Sequence, residues 1–129
     1  MTTDLWYLAA SVALTWAFIM VAATPGMFTH GIGWAFGNRE HHPELEGASG
    51  RAKRLAANMN ENLPLITALV LLAHVSGKAG DLSAMGAMVF FYGRVGHAVC
   101  YLAGVHVVRT LSWGVSVAGM FMIGASLFA

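Results

Sequence analysis

The chain has 129 residues, of which 57% are hydrophobic and 10% charged, with a mean hydropathy of +0.65. Soluble domains carry about 25% charged residues, so this composition excludes that class and reads as a protein integral to a membrane. The net charge of +1 rests on seven Lys and Arg residues that form no basic run, which excludes nucleic acid as a partner.

Residues 5–24 form the first apolar run, long enough at roughly 20 residues to span a bilayer. Val21-Ala22-Ala23 resembles a signal-cleavage site, but no Lys or Arg precedes Leu5, so the run reads as transmembrane helix 1. Thr24-Pro25-Gly26 should kink or end it, with the Gly-rich stretch 27–37 continuing obliquely at the interface. Residues 38–53 are the most polar of the chain and read as its one long loop. Within them His41-His42, Glu40, Glu44 and Glu46 match no defined ligand spacing, so the loop is read as solvated and no metal is expected.

Helix 2 is expected over 51–76, starting as an amphipathic turn near Ala48 to Arg51, with Pro64 inside it. The carbonyl that a proline frees can be satisfied by neighbouring helices or polar side chains in a membrane. A short turn over 77–81 leads to helix 3 over 82–103, and a turn over 104–108 leads to helix 4 over 109–128. The expectation is an all-α, up-and-down bundle of four transmembrane helices, residues 1–129 forming one domain.

Ser112, Ser116, Gly119 and Gly124 give helix 4 a narrow face, as Gly86, Gly93 and Gly96 do for helix 3, and such faces let helices pack closely. Trp6, Tyr7 and Trp113 fall near helix ends, as aromatic-belt residues should. His74 and His106 are read as interfacial. Cys100 is the only cysteine, so no internal disulfide exists, and it is read as a buried apolar thiol. Arg39, Arg51, Lys53, Arg54 and Arg109 flank the 1–2 and 3–4 connections, whereas the other side offers Lys78. The positive-inside rule therefore makes the 1–2 and 3–4 loops cytoplasmic.

Two polar stripes interrupt this apolar pattern. Arg54, Asn58 and Glu61 share one face of helix 2, with Arg51 a turn earlier, and Arg94, His97 and Tyr101 share one face of helix 3. At ~1.5 Å per residue Glu61 and Arg94 both lie about 15 Å from the cytoplasmic surface, so they can meet. A charge at the bilayer centre costs roughly 2.5–3.5 kcal/mol and must be paired, hydrated or used. The plain reading is a structural Glu61–Arg94 ion pair. Against it stands the surplus of donors, Arg51, Arg54, Arg109, Asn58, His97 and Tyr101, around one carboxylate. Such a surplus suits an anionic ligand, since arginine holds carboxylates by paired hydrogen bonds.

Arg51-x-x-Arg54-x-x-x-Asn58-x-x-Glu61 leading into Asn62-Leu63-Pro64, then Arg94-x-x-His97-x-x-x-Tyr101-Leu102 and Arg109, with Gly37-Asn38-Arg39-Glu40 before them, resemble the MAPEG family, membrane-associated proteins in eicosanoid and glutathione metabolism. The resemblance is to its bacterial members and spans essentially the whole chain. It implies a homotrimer in the bilayer, here a bacterial inner membrane, with glutathione in a cytoplasm-facing cleft between protomers. Arg51, Arg54, Asn58 and Glu61 of one protomer would hold the tripeptide, Glu61 at its α-amino group, and Arg94, His97, Tyr101 and Arg109 of the neighbour would complete the cleft. Arg109 would activate the sulfur, with Tyr101 or Thr110 as supporting donors. The implied activity is that of a glutathione transferase or peroxidase attacking lipophilic electrophiles or lipid hydroperoxides. Two alternatives stand beside it: a noncatalytic protein of the same fold whose polar cluster is structural, and a small oligomeric transporter. The transporter design needs a deep carboxylate in a mostly uncharged pore, whereas Glu61 lies among arginines.

Overall fold

A computed structural model describes residues 1–38 and 47–129; the His41-His42 segment falls outside the described residues. The expected four helices are present as α1 (Thr3–Phe36), α2 (Gly47–Val75), α3 (Asp81–Ala103) and α4 (His106–Ser126). Of these, α1, α2 and α4 are long and apolar enough to cross a membrane.

Of the two outcomes expected at Thr24-Pro25-Gly26, a kink or an end, the helix does not end there: α1 runs through Pro25 into the stretch expected to continue it. The Thr24 and Thr29 hydroxyls donate to the Met20 and Pro25 carbonyls at 2.7 and 2.8 Å, bracing the turns on either side of the proline. In hydrocarbon an open backbone costs more than one missing helical bond. The break comes instead at Gly31, with φ 82° and ψ 169°, a conformation that glycine adopts without steric cost. Beyond it the chain folds back, so that a Cβ on Gly26 would lie 2.8 Å from the Trp34 ring.

The 3–4 turn is also shorter than expected. Gly104 takes the left-handed conformation, φ 77°, and its N–H caps the Cys100 and Tyr101 carbonyls, a common helix stop. Only Gly104 and Val105 separate α3 from α4, which puts His106 and Arg109 in the first turn of α4.

Helix α4 then returns along α3 at very close range. A Cβ on Gly86 would lie 2.7 Å from the Gly119 carbonyl oxygen, one on Gly93 2.7 Å from the Ser116 nitrogen, and one on Gly96 3.3 Å from the Ser112 hydroxyl. The two small-residue faces thus form one seam. Helix α1 packs on α2 and α3, α4 packs on α3 and α2, and α1 and α4 make no contact among the described residues. Met59, Ile66, Val70, Phe90 and Ile123 fill the space between them, each 0–1% exposed.

One end of the bundle is clasped by Asp4, 2% exposed. Its carboxylate accepts from Ser83 Oγ at 2.9 Å, His74 Nε2 at 3.0 Å and Thr2 Oγ1 at 2.5 Å. The clasp ties the starts of α1 and α3 to the end of α2 and gives His74 a partner its interfacial reading lacked. Cys100 is half-buried, not fully buried as expected.

The seam makes a sharp expectation. A methyl at Gly119 would sit 2.5 Å from the Phe90 backbone nitrogen, an atom that cannot move aside. Gly119→Ala should therefore lower stability by about 1–3 kcal/mol. Gly114→Ala, with nothing within 4 Å, should not, as thermal unfolding in detergent would show.

Candidate functional site

At the end of the bundle opposite the Asp4 clasp, three helices converge on a cleft of about 430 Å³. Helix α2 contributes Arg54, Ala57, Asn58 and Glu61, α3 contributes His97 and Tyr101, and α4 contributes Arg109, Thr110 and Trp113. Depth matching along the sequence expected the two stripes to meet, and the structure brings them together within one chain. The cause is the tight Gly104 turn, which sends the first turn of α4 back beside the last turn of α3, while α2 packs on both.

The cleft is organised around Tyr101. The Arg109 guanidinium stands 5.0 Å from the centre of its ring, within range of a cation–π attraction. Its hydroxyl accepts from Arg54 Nε at 3.3 Å, and the His97 ring lies 5.4 Å away. His97 Nδ1 is 3.1 Å from the Arg109 carbonyl oxygen. A carbonyl only accepts, so Nδ1 carries the proton, and Nε2 of the neutral ring is left as an acceptor.

Arg94 lies behind the cleft wall and is 0% exposed. Its Nη2 donates to Asn58 Oδ1 at 2.5 Å, its Nε lies 3.3 Å from Met59 Sδ, and the Phe90 ring is 6.0 Å from its guanidinium carbon. The Glu61–Arg94 ion pair of the plain reading is not formed. Asn58, one helical turn before Glu61, takes the guanidinium instead, and Glu61 remains exposed on the cleft. Among the described residues the ion pair is that of His74 with Asp4. Among the described residues two buried side-chain polar atoms have no partner, Arg94 Nη1 and His97 Nε2.

The remaining expected site residues are placed as follows. Thr110 lines the cleft while its hydroxyl donates to the His106 carbonyl at 3.1 Å. Arg51 is at the margin, its Nε donating to the Leu102 carbonyl at 3.3 Å, where it braces the end of α3 and does not line the cleft. Trp113, 41% exposed, was read only as a belt residue and also forms a wall of the cleft. Its position four residues after Arg109 puts the two on one face of α4, a signal the sequence already carried. Arg54 and Arg109 share the cleft with Glu61, its single carboxylate among the described residues, and the arrangement can hold a ligand with more negative than positive groups.

The sequence matches the model of the MAPEG family over residues 4–129. Comparison with curated proteins and with solved structures gives no match.

Because Asn58 is the oxygen partner of a fully buried cation, Asn58→Ala should destabilise the protein by about 1–3 kcal/mol, the usual result of stranding a buried donor. Asn58→Asp, which keeps an acceptor and adds a countercharge, should restore the unfolding midpoint. Equal midpoints for the alanine variant and the parent would show that the bond contributes nothing.

Proposed function

The chain belongs to the MAPEG family, and from that premise we propose that it is a membrane glutathione-dependent transferase or peroxidase. The observation that carries the reading is the imbalance of the cleft, where Arg54 and Arg109 face one carboxylate, Glu61. Glutathione, consumed as a substrate, has two carboxylates, one ammonium and a thiol. Two guanidinium groups and one carboxylate complement that pattern, and the unpartnered Arg94 Nη1 and His97 Nε2 leave further polar capacity beside it.

In this reading Arg54 and Asn58 bind the carboxylate ends and Glu61 the ammonium. Arg109 holds the sulfur. A guanidinium beside a thiol favours the thiolate, the reacting nucleophile, and Tyr101 orients both Arg54 and Arg109. Thr110 supports the same turn of α4. Trp113 presents an apolar wall to a lipophilic electrophile or hydroperoxide arriving from the bilayer.

The multi-pass architecture leaves Arg54 and Glu61 exposed along α2. In hydrocarbon such groups need cover, so the working form is a homotrimer in which a neighbouring copy closes the mouth of a cleft built mainly within one chain. The excess of Lys and Arg at the cleft end puts that end in the cytoplasm, for a bacterial protein beneath the inner membrane.

Calorimetry with detergent-purified protein should show saturable glutathione binding. Arg109→Ala should lower kcat/KM for conjugation of an aryl chloride about 10²-fold, the scale of removing one preorganised charge-stabilising donor. An unaltered rate would remove Arg109 from the role, and absence of binding at millimolar glutathione would favour a purely structural polar cluster.

A further inference from the structure

Resting on the proposed function, we infer that His97 Nε2 is the proton shuttle of the reaction, taking the thiol proton of glutathione and returning it to the oxygen of a lipophilic epoxide as the ring opens. Arg109 stabilises a thiolate but cannot receive its proton, because a guanidinium stays charged at any ordinary pH. A base within the cleft would take it at the site of reaction and hold it for the second half of the step.

The candidates are few. Tyr101 Oη already accepts from Arg54, and a phenol is not a base near neutrality. Glu61 is assigned to the ammonium of glutathione, whereas a neutral imidazole with a free ring nitrogen is the usual group for taking and returning a proton. His97 lines the cleft, and its ring is held by the bond from Nδ1 to the Arg109 carbonyl. That bond leaves Nε2 as a lone-pair acceptor, and Nε2 is buried without a partner. A buried acceptor left unmade costs about 1–3 kcal/mol, so its persistence calls for a use.

The same residue couples the two halves of the step, since Arg109 offers its backbone oxygen to His97 and its guanidinium to the cleft. The charges acting on the ring are Arg94 of α3 and Arg109 of α4, and Arg54 and Glu61 of α2 line the same cleft with Tyr101. With three cations to one carboxylate, a proton gained by His97 is readily passed on.

The chemistry balances without a further reactant. The S–H bond breaks, its proton goes to Nε2 and its electron pair stays on sulfur beside Arg109. Sulfur then bonds to an epoxide carbon, the C–O bond breaks with its pair on oxygen, and Nε2 returns the proton to that oxygen. Nothing is oxidised or reduced.

The test compares His97→Gln with the parent on two substrates, a lipophilic epoxide and an aryl chloride whose leaving chloride needs no proton. In the variant, glutathione should still bind by calorimetry, and the ultraviolet absorbance of its bound thiolate should emerge only at higher pH. At neutral pH the aryl chloride reaction should fall about 10²-fold and recover in alkali, while the epoxide reaction should stay low. An unchanged thiolate titration, or parallel recovery of both substrates, would overturn the inference. If the variant does not fold, the parent with isotope-labelled histidine decides: one ring must titrate in step with the bound thiolate, and its failure to do so overturns the shuttle. Absence of glutathione binding to the parent would instead refute the function on which the inference rests.

Discussion

A guanidinium buried without a carboxylate is the constraint from which the rest of the structure follows. Arg94 is 0% exposed and bonds to Asn58, a neutral partner. A charged side chain at the bilayer centre costs roughly 2.5–3.5 kcal/mol, and a hydrogen bond to a charged group contributes about 1.5–3 kcal/mol. The single bond to Asn58 therefore offsets much of the penalty, but only if α2 and α3 keep one rotation and one register. That register turns Glu61 outward, into the cleft.

The two ends of the bundle are held by different means, and the difference explains where a site can exist. At one end Asp4 gathers donors from Thr2, His74 and Ser83 and closes the helices together. Along α3 and α4 the glycine seam forbids separation, with backbone atoms where side chains would otherwise stand. Helix α2 has no comparable seam with α4. The space left between them at the unclasped end becomes the cleft, and the rigid α3–α4 pair fixes His97, Tyr101 and Arg109 relative to one another.

Much of this was legible in the residues. Apolar runs of bilayer length marked four helices, small residues at helical spacing marked the α3–α4 seam, and the stripes on α2 and α3 named most of the cleft. What failed did so for definite physical reasons. Depth along a helix follows from residue count, but rotation about the axis does not, so matching the levels of Glu61 and Arg94 did not reveal that Asn58, one turn away, would face the guanidinium. Thr24-Pro25-Gly26 was read as the place of a kink or an end, whereas the break lies at Gly31, whose positive φ no spacing announced. The length of the 3–4 turn depended on one positive φ at Gly104, and with it went the placement of Arg109, and hence of Trp113, relative to Tyr101. The division of the cleft between protomers came from resemblance and not from any spacing, whereas the convergence of both stripes within one chain follows from the depth matching of α2 and α3.

The choice of a neutral partner for Arg94 bears directly on what the cleft can hold. A Glu61–Arg94 pair would have met the burial penalty more fully, since a charge-assisted bond between two ions is stronger than one to an amide. It would also have consumed the only cleft carboxylate among the described residues, leaving Arg54 and Arg109 as a site for simple anions. With Asn58 in that position, Glu61 stands exposed opposite the arginines, and the cleft presents both signs of charge. A ligand carrying an ammonium as well as carboxylates then gains at both, while one carrying a single sign meets repulsion from the other. The stability forgone at Arg94 thus leaves a cleft with both signs of charge, an arrangement suited to recognition that a Glu61–Arg94 ion pair would not leave.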